Sequence, residues 1–344
     1  MKIKCNHNIE EIISISNLLL AWKEFVNGKR NKKDVQFFSL HLMDNIFVLH
    51  KDLTTKKYTH GAYESFFVND PKRRHINKAN VADRLVHHAI YRLLYPFFDK
   101  TFIFDSYSCR LNKGTHKAIK RFRKFIWKES KGNTRSCWVL QCDIKKFFAS
   151  INHKVLIEIL KEQILDKNII LLLENIIESY HTKNFQGTGL PLGNLTSQLF
   201  TNIYMNKFDQ FVKHNLKVKY YIRYADDFVF LSHNKYFLKE LIVLIDKFLY
   251  EELKLKLHPN KVFLKNISSG IDFLGYVNFI DYRVLRTRTK KRMFKKIQLK
   301  KVQLENKEIS KEKFYQTLNS YLGLLKHGDC YKLSKEISEH SIIK

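Results

Sequence analysis

Apolar positions over residues 9–50 recur at helical spacing, with Ile12, Ile13, Leu18, Leu19 and Phe25, then Leu40, Leu42, Ile46 and Leu49, on shared faces. The period then shortens. Lys57-Tyr58-Thr59 and Glu64–Val68 read as short strands, Asn69-Asp70-Pro71 as a turn, and Arg73–Asn77 as a returning strand. Helices are predicted over about 81–97 and 115–129; in the second, Ile119, Phe122 and Ile126 form an apolar line among Lys and Arg. A buried strand follows at 138–144, then a long helical region at 153–180. The turn Gly187–Gly193 leads into a helix with Leu195, Leu199, Ile203, Phe208 and Val212 at apolar positions. A hairpin at 219–232, a helix at about 235–253, strand pieces at 262–265 and 271–280, and a basic helical stretch of about 60 residues complete the chain. This order predicts an α+β fold, an antiparallel sheet with helices on one face.

Charge narrows the partner. Of 344 residues, 62 are Lys or Arg and 33 are Asp or Glu, a formal charge of +29, which favours a polyanion such as nucleic acid. A membrane span is not expected, because no apolar run approaches the roughly 20 residues that crossing requires. Ile169–Ile177 is interrupted by Glu174 and Asn175. Glu10 and Glu11 precede only a short Leu18–Trp22 patch, so a signal peptide is not expected and a cytoplasmic location is. Five cysteines without a CxxC pair predict reduced thiols, and the adjacent His87-His88 reads as part of a helix. With 4 prolines, 11 glycines and no repeat, no linker divides the chain.

Two acids interrupt the apolar hairpin at Tyr224-Ala225-Asp226-Asp227. Burying unpaired carboxylates costs several kcal/mol or more each, which a cation would offset; a solvated Asp-Asp turn is the plainer alternative. Trp138–Asp143 reads as a strand ending in a third acid. Brought together, Asp143 (with Ile144 beside it), Asp226 and Asp227 suit two Mg²⁺ ions about 3.5–4 Å apart, one activating a 3′-hydroxyl and one holding pyrophosphate.

Asp143 with Phe147-Phe148, and Tyr224–Asp227, resemble the two metal-binding motifs of reverse transcriptases of prokaryotic retroelements. The likeness also takes in Val81–His88, Asp105–His116 and Ser320–His327. It implies a right-hand polymerase. Residues 1–135 would form an N-terminal helical extension and fingers, 136–280 a palm with an inserted fingers segment, and 281–344 a small basic helical thumb. Phe148 would lie beneath the sugar of the incoming nucleotide and exclude a ribose 2′-hydroxyl; ordinary core is its rival reading.

Within that family, Leu190-Pro-Leu-Gly-Asn-Leu-Thr-Ser-Gln198 narrows the resemblance. Group II intron, retron and retroviral-type enzymes usually carry Gln before Gly193 and Pro after Ser197, where this chain has Leu192 and Gln198. That pair resembles enzymes of diversity-generating retroelements, which copy a template-repeat RNA and misincorporate opposite adenines. Losing an orienting hydrogen bond at Leu192 weakens nucleotide discrimination by about 1–3 kcal/mol. The resemblance implies dNTP substrates, a template RNA and cDNA/RNA duplex, two Mg²⁺ (Mn²⁺ serving in vitro) and a small basic accessory variability protein.

Lys72, Arg73, Arg74 and Arg84 are the expected triphosphate contacts, and Lys261 the expected acid near pyrophosphate. Residues 110–128 and 286–296 carry no acid. From them Arg110, Lys113, Arg286, Arg288, Lys290, Lys291 and Arg292 are expected along the duplex, with Tyr224 beside its end. A group II-like or defence-associated enzyme is the same-class rival, weakened by the Leu192/Gln198 pair and by no maturase or endonuclease segment following residue 344. A catalytically silent RNA-binding protein is the rival of another class.

Overall fold

Asn8 and Ser14 start the first two helices by accepting backbone N–H groups three residues on, satisfying donors that a helix start leaves free. In the computed structural model, which describes residues 4–340 except 71 and 184, four helices open the chain. They are α1 (Ile9–Ile13), α2 (Ile15–Phe25), α3 (Lys33–Leu40) and α4 (Leu42–Thr54). Lys57–Thr59 is not a strand: the Lys57 and Tyr58 amides both return to the Asp52 carbonyl, closing the end of α4 instead of entering a ladder.

Strands β1 (Glu64–Val68) and β2 (Arg74–Lys78) form an outlying hairpin with Phe66 opposite Ile76. The turn expected at Asn69–Pro71 includes Pro71, which lies outside the described residues. Asn80 caps α5 (Val81–Thr101), which packs on α2, and α6 (Thr115–Glu129) follows. After β3 (Trp138–Cys142) and a short α7 (Phe147–Ser150), the expected helical region at 153–180 divides into α8 (His153–Lys161) and α9 (Lys167–Glu178). The division falls at Asp166, whose carboxylate accepts the Asn168 and Ile169 amides as an N-cap.

Helix α10 (Leu195–Gln210) leads to β4 (Tyr220–Tyr224), β5 (Asp227–Ser232) and α11 (Lys235–Leu253). The expected strand at 271–280 is a hairpin instead, because Leu274 and Gly275 reverse the chain at φ of 50° and 93°. Its strands β7 (Ile271–Phe273) and β8 (Tyr276–Asn278) join β9 (Arg283–Leu285) in a small sheet, preceded by β6 (Phe263–Asn266). Helices α12 (Thr287–Glu305), α13 (Lys311–Leu325) and α14 (Tyr331–His340) end the described chain.

The central sheet is antiparallel, in the order β4-β5-β3-β6. Its pleat sends Leu140, Cys142, Tyr221, Phe228 and Phe230 into one core with Phe200, Tyr204 and Phe208 of α10 and Leu241 and Ile245 of α11. Val139, Ile222, Val229 and Leu231 face the other way, onto Ala118, Phe122, Phe125 and Ile126 of α6. Each fully buried aliphatic or Phe side chain here stabilises by about 1.5–3 kcal/mol. Helix α12 buries only Met293 and Ile297 and turns its other faces, largely Lys and Arg, outward. An ion-pair cluster ties it to the distant hairpin: Lys296 Nζ lies 2.8 Å from Asp70 Oδ2, with Arg292 Nε 3.9 Å from Oδ1. Among the described residues no helix is long and apolar enough to cross a membrane.

Candidate active site

Strand pairing gathers the acids. Cys142 sits opposite Phe228 and Tyr224 opposite Asp227, so the end of β3 lies against the two-residue bend between β4 and β5. Asp143 leaves β3 on the same side as Val139 and Gln141, and Asp227 leaves β5 on the side of Val229; the alternation that sends Cys142 and Phe228 into one core directs both acids to the opposite face of the sheet. The Asp143 and Asp227 carboxyls come within hydrogen-bonding reach. Burial, then the neighbouring charges of Asp226 and Asp143, push Asp227 up to about 7. Burial and Asp143 also raise Asp226, opposed by the nearby Lys261 and Arg74. Lys261 Nζ lies 2.9 Å from Asp143 Oδ2.

These groups border a cavity of about 380 Å³ whose lining includes Lys72, Gln141, Asp143, Asp227, Lys261 and Arg286. Hairpin β1–β2 thus brings Lys72 and Arg74 to the acids, whereas Arg73 stacks on Phe67, 4.1 Å from the ring centroid. Arg84 does not join them. Its guanidinium is 2.5 Å from Asp34 and lies over the Phe25 ring, bracing α5 against the N-terminal helices.

The turn before α10 connects the pieces. The Leu190 amide donates to the Phe148 carbonyl, and the Leu192 carbonyl accepts the Asn77 amide of β2 at 3.0 Å. Gly193 has φ of 112°, and a Cβ there would stand 2.8 Å from Ile76 Cγ2, so only glycine lets turn and hairpin approach this closely. Phe148 is half-buried, its ring edge-on to Phe147, and Gln198 is half-buried in the first turn of α10. The Ile144 backbone bridges to Leu257, holding the strand end beside the loop that carries Lys261.

Several expected nucleic-acid contacts are committed elsewhere. Arg110 is engaged within the fold: its guanidinium, 5% exposed, donates to the Asp99 carboxylate and to the carbonyls of Asp99, Ile103 and Ser106, pinning the loop after α5. Lys113 Nζ donates to the Phe104 carbonyl, and Tyr224 OH accepts from Thr115 Oγ1. Arg288, Lys290 and Lys291 are exposed on the first turns of α12, while Arg286 pairs with Asp272 at the cavity rim. The sequence reading missed Asp272, and it missed Asp209 and Arg223 behind the acidic bend. The available signal was Arg223 itself, a charge in core register two residues after Tyr221, which demands a buried acid.

Among the described residues no three His, Cys, Asp or Glu side chains form a ready-made metal cage. The donor set nevertheless fits a hard divalent cation. It is all oxygen, desolvated and self-repelling, and such ions complete their shells from phosphate and water.

Residues 68–278 match the family described as reverse transcriptase (RNA-dependent DNA polymerase). Protein YkfC of Escherichia coli is 26% identical, with 64% of this chain and 65% of that protein covered. The group II intron-encoded protein LtrA of Lactococcus lactis is 25% identical, covering 65% and 47%. The putative COX1/OXI3 intron 2 protein of Saccharomyces cerevisiae is 23% identical, covering 79% and 40%. The chain therefore spans 40 to 65% of the length of these relatives. A telomerase structure from Candida albicans, solved with a telomeric RNA fragment, shares the fold at a TM-score of 0.50 and 12% identity, over 72% of this chain and 52% of that one.

Proposed function

This chain belongs to the reverse transcriptase family, and within it we propose that it acts as an RNA-directed DNA polymerase. The observation that carries this is the acidic bend of β4–β5 abutting Asp143 beside a cavity lined by Lys72, Lys261 and Arg286. Asp143, Asp226 and Asp227, with the Ile144 backbone, would hold two Mg²⁺ ions, which when bound activate the primer 3′-hydroxyl and steady the leaving pyrophosphate. Around that centre the chain's own groups bind and orient. Lys72 and Arg74 offer charge to the triphosphate, and Lys261, once released from Asp143, would give a proton to the pyrophosphate. Phe148 and the Leu192-Gly193 turn flank the nucleotide. The outward cations of α12 follow the duplex backbone. In this reading residues 1–135, 136–280 and 281–344 serve as fingers, palm and thumb. Primer extension on an RNA template with dNTPs and Mg²⁺ tests it: wild type extends and Asp226→Asn does not, and equal extension by both refutes it.

The finer role we propose is error-prone copying of a template-repeat RNA in a diversity-generating retroelement, with a small basic accessory protein. Leu192 and Gln198 support it: an aliphatic side chain at 192 cannot give the orienting hydrogen bond of a Gln. Sequenced cDNA should carry errors concentrated at template adenines. A flat, low error spectrum favours the second reading, a group II intron-like enzyme, which the likeness to LtrA supports.

A further inference from the structure

Behind the acidic bend lies a fully buried ion pair. Arg223 of β4 and Asp209 of α10 have no exposed side-chain surface. Arg223 Nε donates to both Asp209 oxygens at 2.8 and 3.0 Å, and Nη2 donates to Oδ2 at 2.7 Å and to Ser106 Oγ at 3.1 Å. Tyr221 OH donates to Asp209 Oδ1 at 2.7 Å. Nη1 then reaches forward, donating to Asn202 Oδ1 and to the Ala225 carbonyl, both at 3.2 Å.

That last contact falls on a strained residue. Tyr224 pairs with Asp227, so Ala225 and Asp226 alone form the bend. Ala225 has φ of 55°. A hairpin turn with its first central residue at positive φ ordinarily takes glycine there, since a Cβ disfavours that conformation. Packing alone is a weak reason for the pair, because apolar residues of similar volume often replace a buried ion pair with little or no loss of stability. Apolar residues cannot, however, hold a carbonyl.

We propose that Arg223, aligned by Asp209, is a positioning residue that locks the Ala225 carbonyl and so fixes the direction of the Asp226 and Asp227 carboxylates. The proposal rests on the polymerase reading for its kinetic consequence, and on geometry alone for the consequence in metal binding. Displacing reacting groups by about 1 Å costs on the order of a hundredfold in rate.

Two variants test it. Arg223→Lys keeps the charge, but one ammonium cannot span Asp209, Asn202 and the Ala225 carbonyl together. Arg223→Met with Asp209→Asn removes both charges at once and leaves Tyr221 an acceptor. Three readouts are needed: the melting temperature, the Mg²⁺ concentration giving half of the Mg²⁺-induced rise in that temperature, and kcat and KM for dNTP in primer extension. Both variants should fold, need roughly tenfold more Mg²⁺, and lose about a hundredfold in kcat with KM changed less than about threefold. A folded variant with the wild-type Mg²⁺ midpoint and kcat overturns the proposal. So does failure of both variants to fold, which would make the pair a requirement of the fold. A wild type that binds Mg²⁺ but extends no primer defeats the polymerase reading instead, and the Mg²⁺ midpoints still decide this one.

Discussion

Replacing Asp227 by Asn should stabilise the metal-free protein at alkaline pH while abolishing synthesis. In the folded chain, burial and the charges of Asp226 and Asp143 push this carboxyl from 3.8 up to about 7. Between those two values the folded state holds a proton that the unfolded chain has released. Stability attached to this group is fully present below pH 3.8, is lost as pH rises towards 7, and stays lost above it. A shift of about three units corresponds to roughly 4 kcal/mol, of which about half is expected in practice because the other carboxylates relax once one charge is removed. With an unfolding entropy near 2.1 cal/mol/K per residue, about 2 kcal/mol on a chain of this length raises the melting temperature by about 3 °C. Scanning calorimetry in EDTA at pH 8 and pH 4 reads this directly, with the gain at pH 8 nearly vanishing at pH 4. Saturating Mg²⁺ at pH 8 should reverse the order, since it relieves the same repulsion in wild type and has fewer charges to hold it in the variant. A variant that melts at or below wild type at pH 8 in EDTA would refute the crowding of carboxylates on which this rests.

Gly193→Ala should cost about 1–3 kcal/mol from its backbone conformation and raise KM for dNTP several-fold by pushing β2 from the turn, seen in melting and steady-state kinetics. Arg110→Ala should destabilise by about 2 kcal/mol through its lost charged hydrogen bonds while leaving the salt dependence of RNA affinity unchanged. Arg288→Ala with Lys291→Ala should do the opposite, lowering the slope of log K against log salt by about 1–2 at an unchanged melting temperature. Leu192→Gln should lower the error frequency at template adenines in sequenced cDNA; an unaltered error spectrum separates Leu192 from fidelity.

The sequence was most legible where local pattern decides. Helix α11 occupies Lys235–Leu253 and α6 Thr115–Glu129 as the periodicity predicts, because each buries one continuous apolar stripe. The acidic hairpin was legible for the same reason, two apolar strands around an Asp-Asp bend. Breaks within an apolar region were not. Helix α8 ends at Lys161 and Asp166 caps the next helix, yet both lie within an apolar pattern that runs past them. Leu274-Gly275 turns a chain whose flanking residues are equally apolar on both sides. Pairings set by tertiary approach were hidden as well. Arg84 and Arg110 carry the same charge in sequence as Lys72 and Arg74, and only distant Asp34 and Asp99 reveal that the first two are already spoken for. Arg223 was readable as a misplaced charge, but its partner on α10 was not.

The bridge from Asp70 to Lys296 and Arg292 ties hairpin β1–β2 to α12 through a carboxylate that is more than half exposed. An exposed pair of this kind contributes about 0–1 kcal/mol and weakens as salt rises, so it holds the two elements together only lightly. A polyanion would offer the same two cations a row of phosphates in exchange for that single carboxylate.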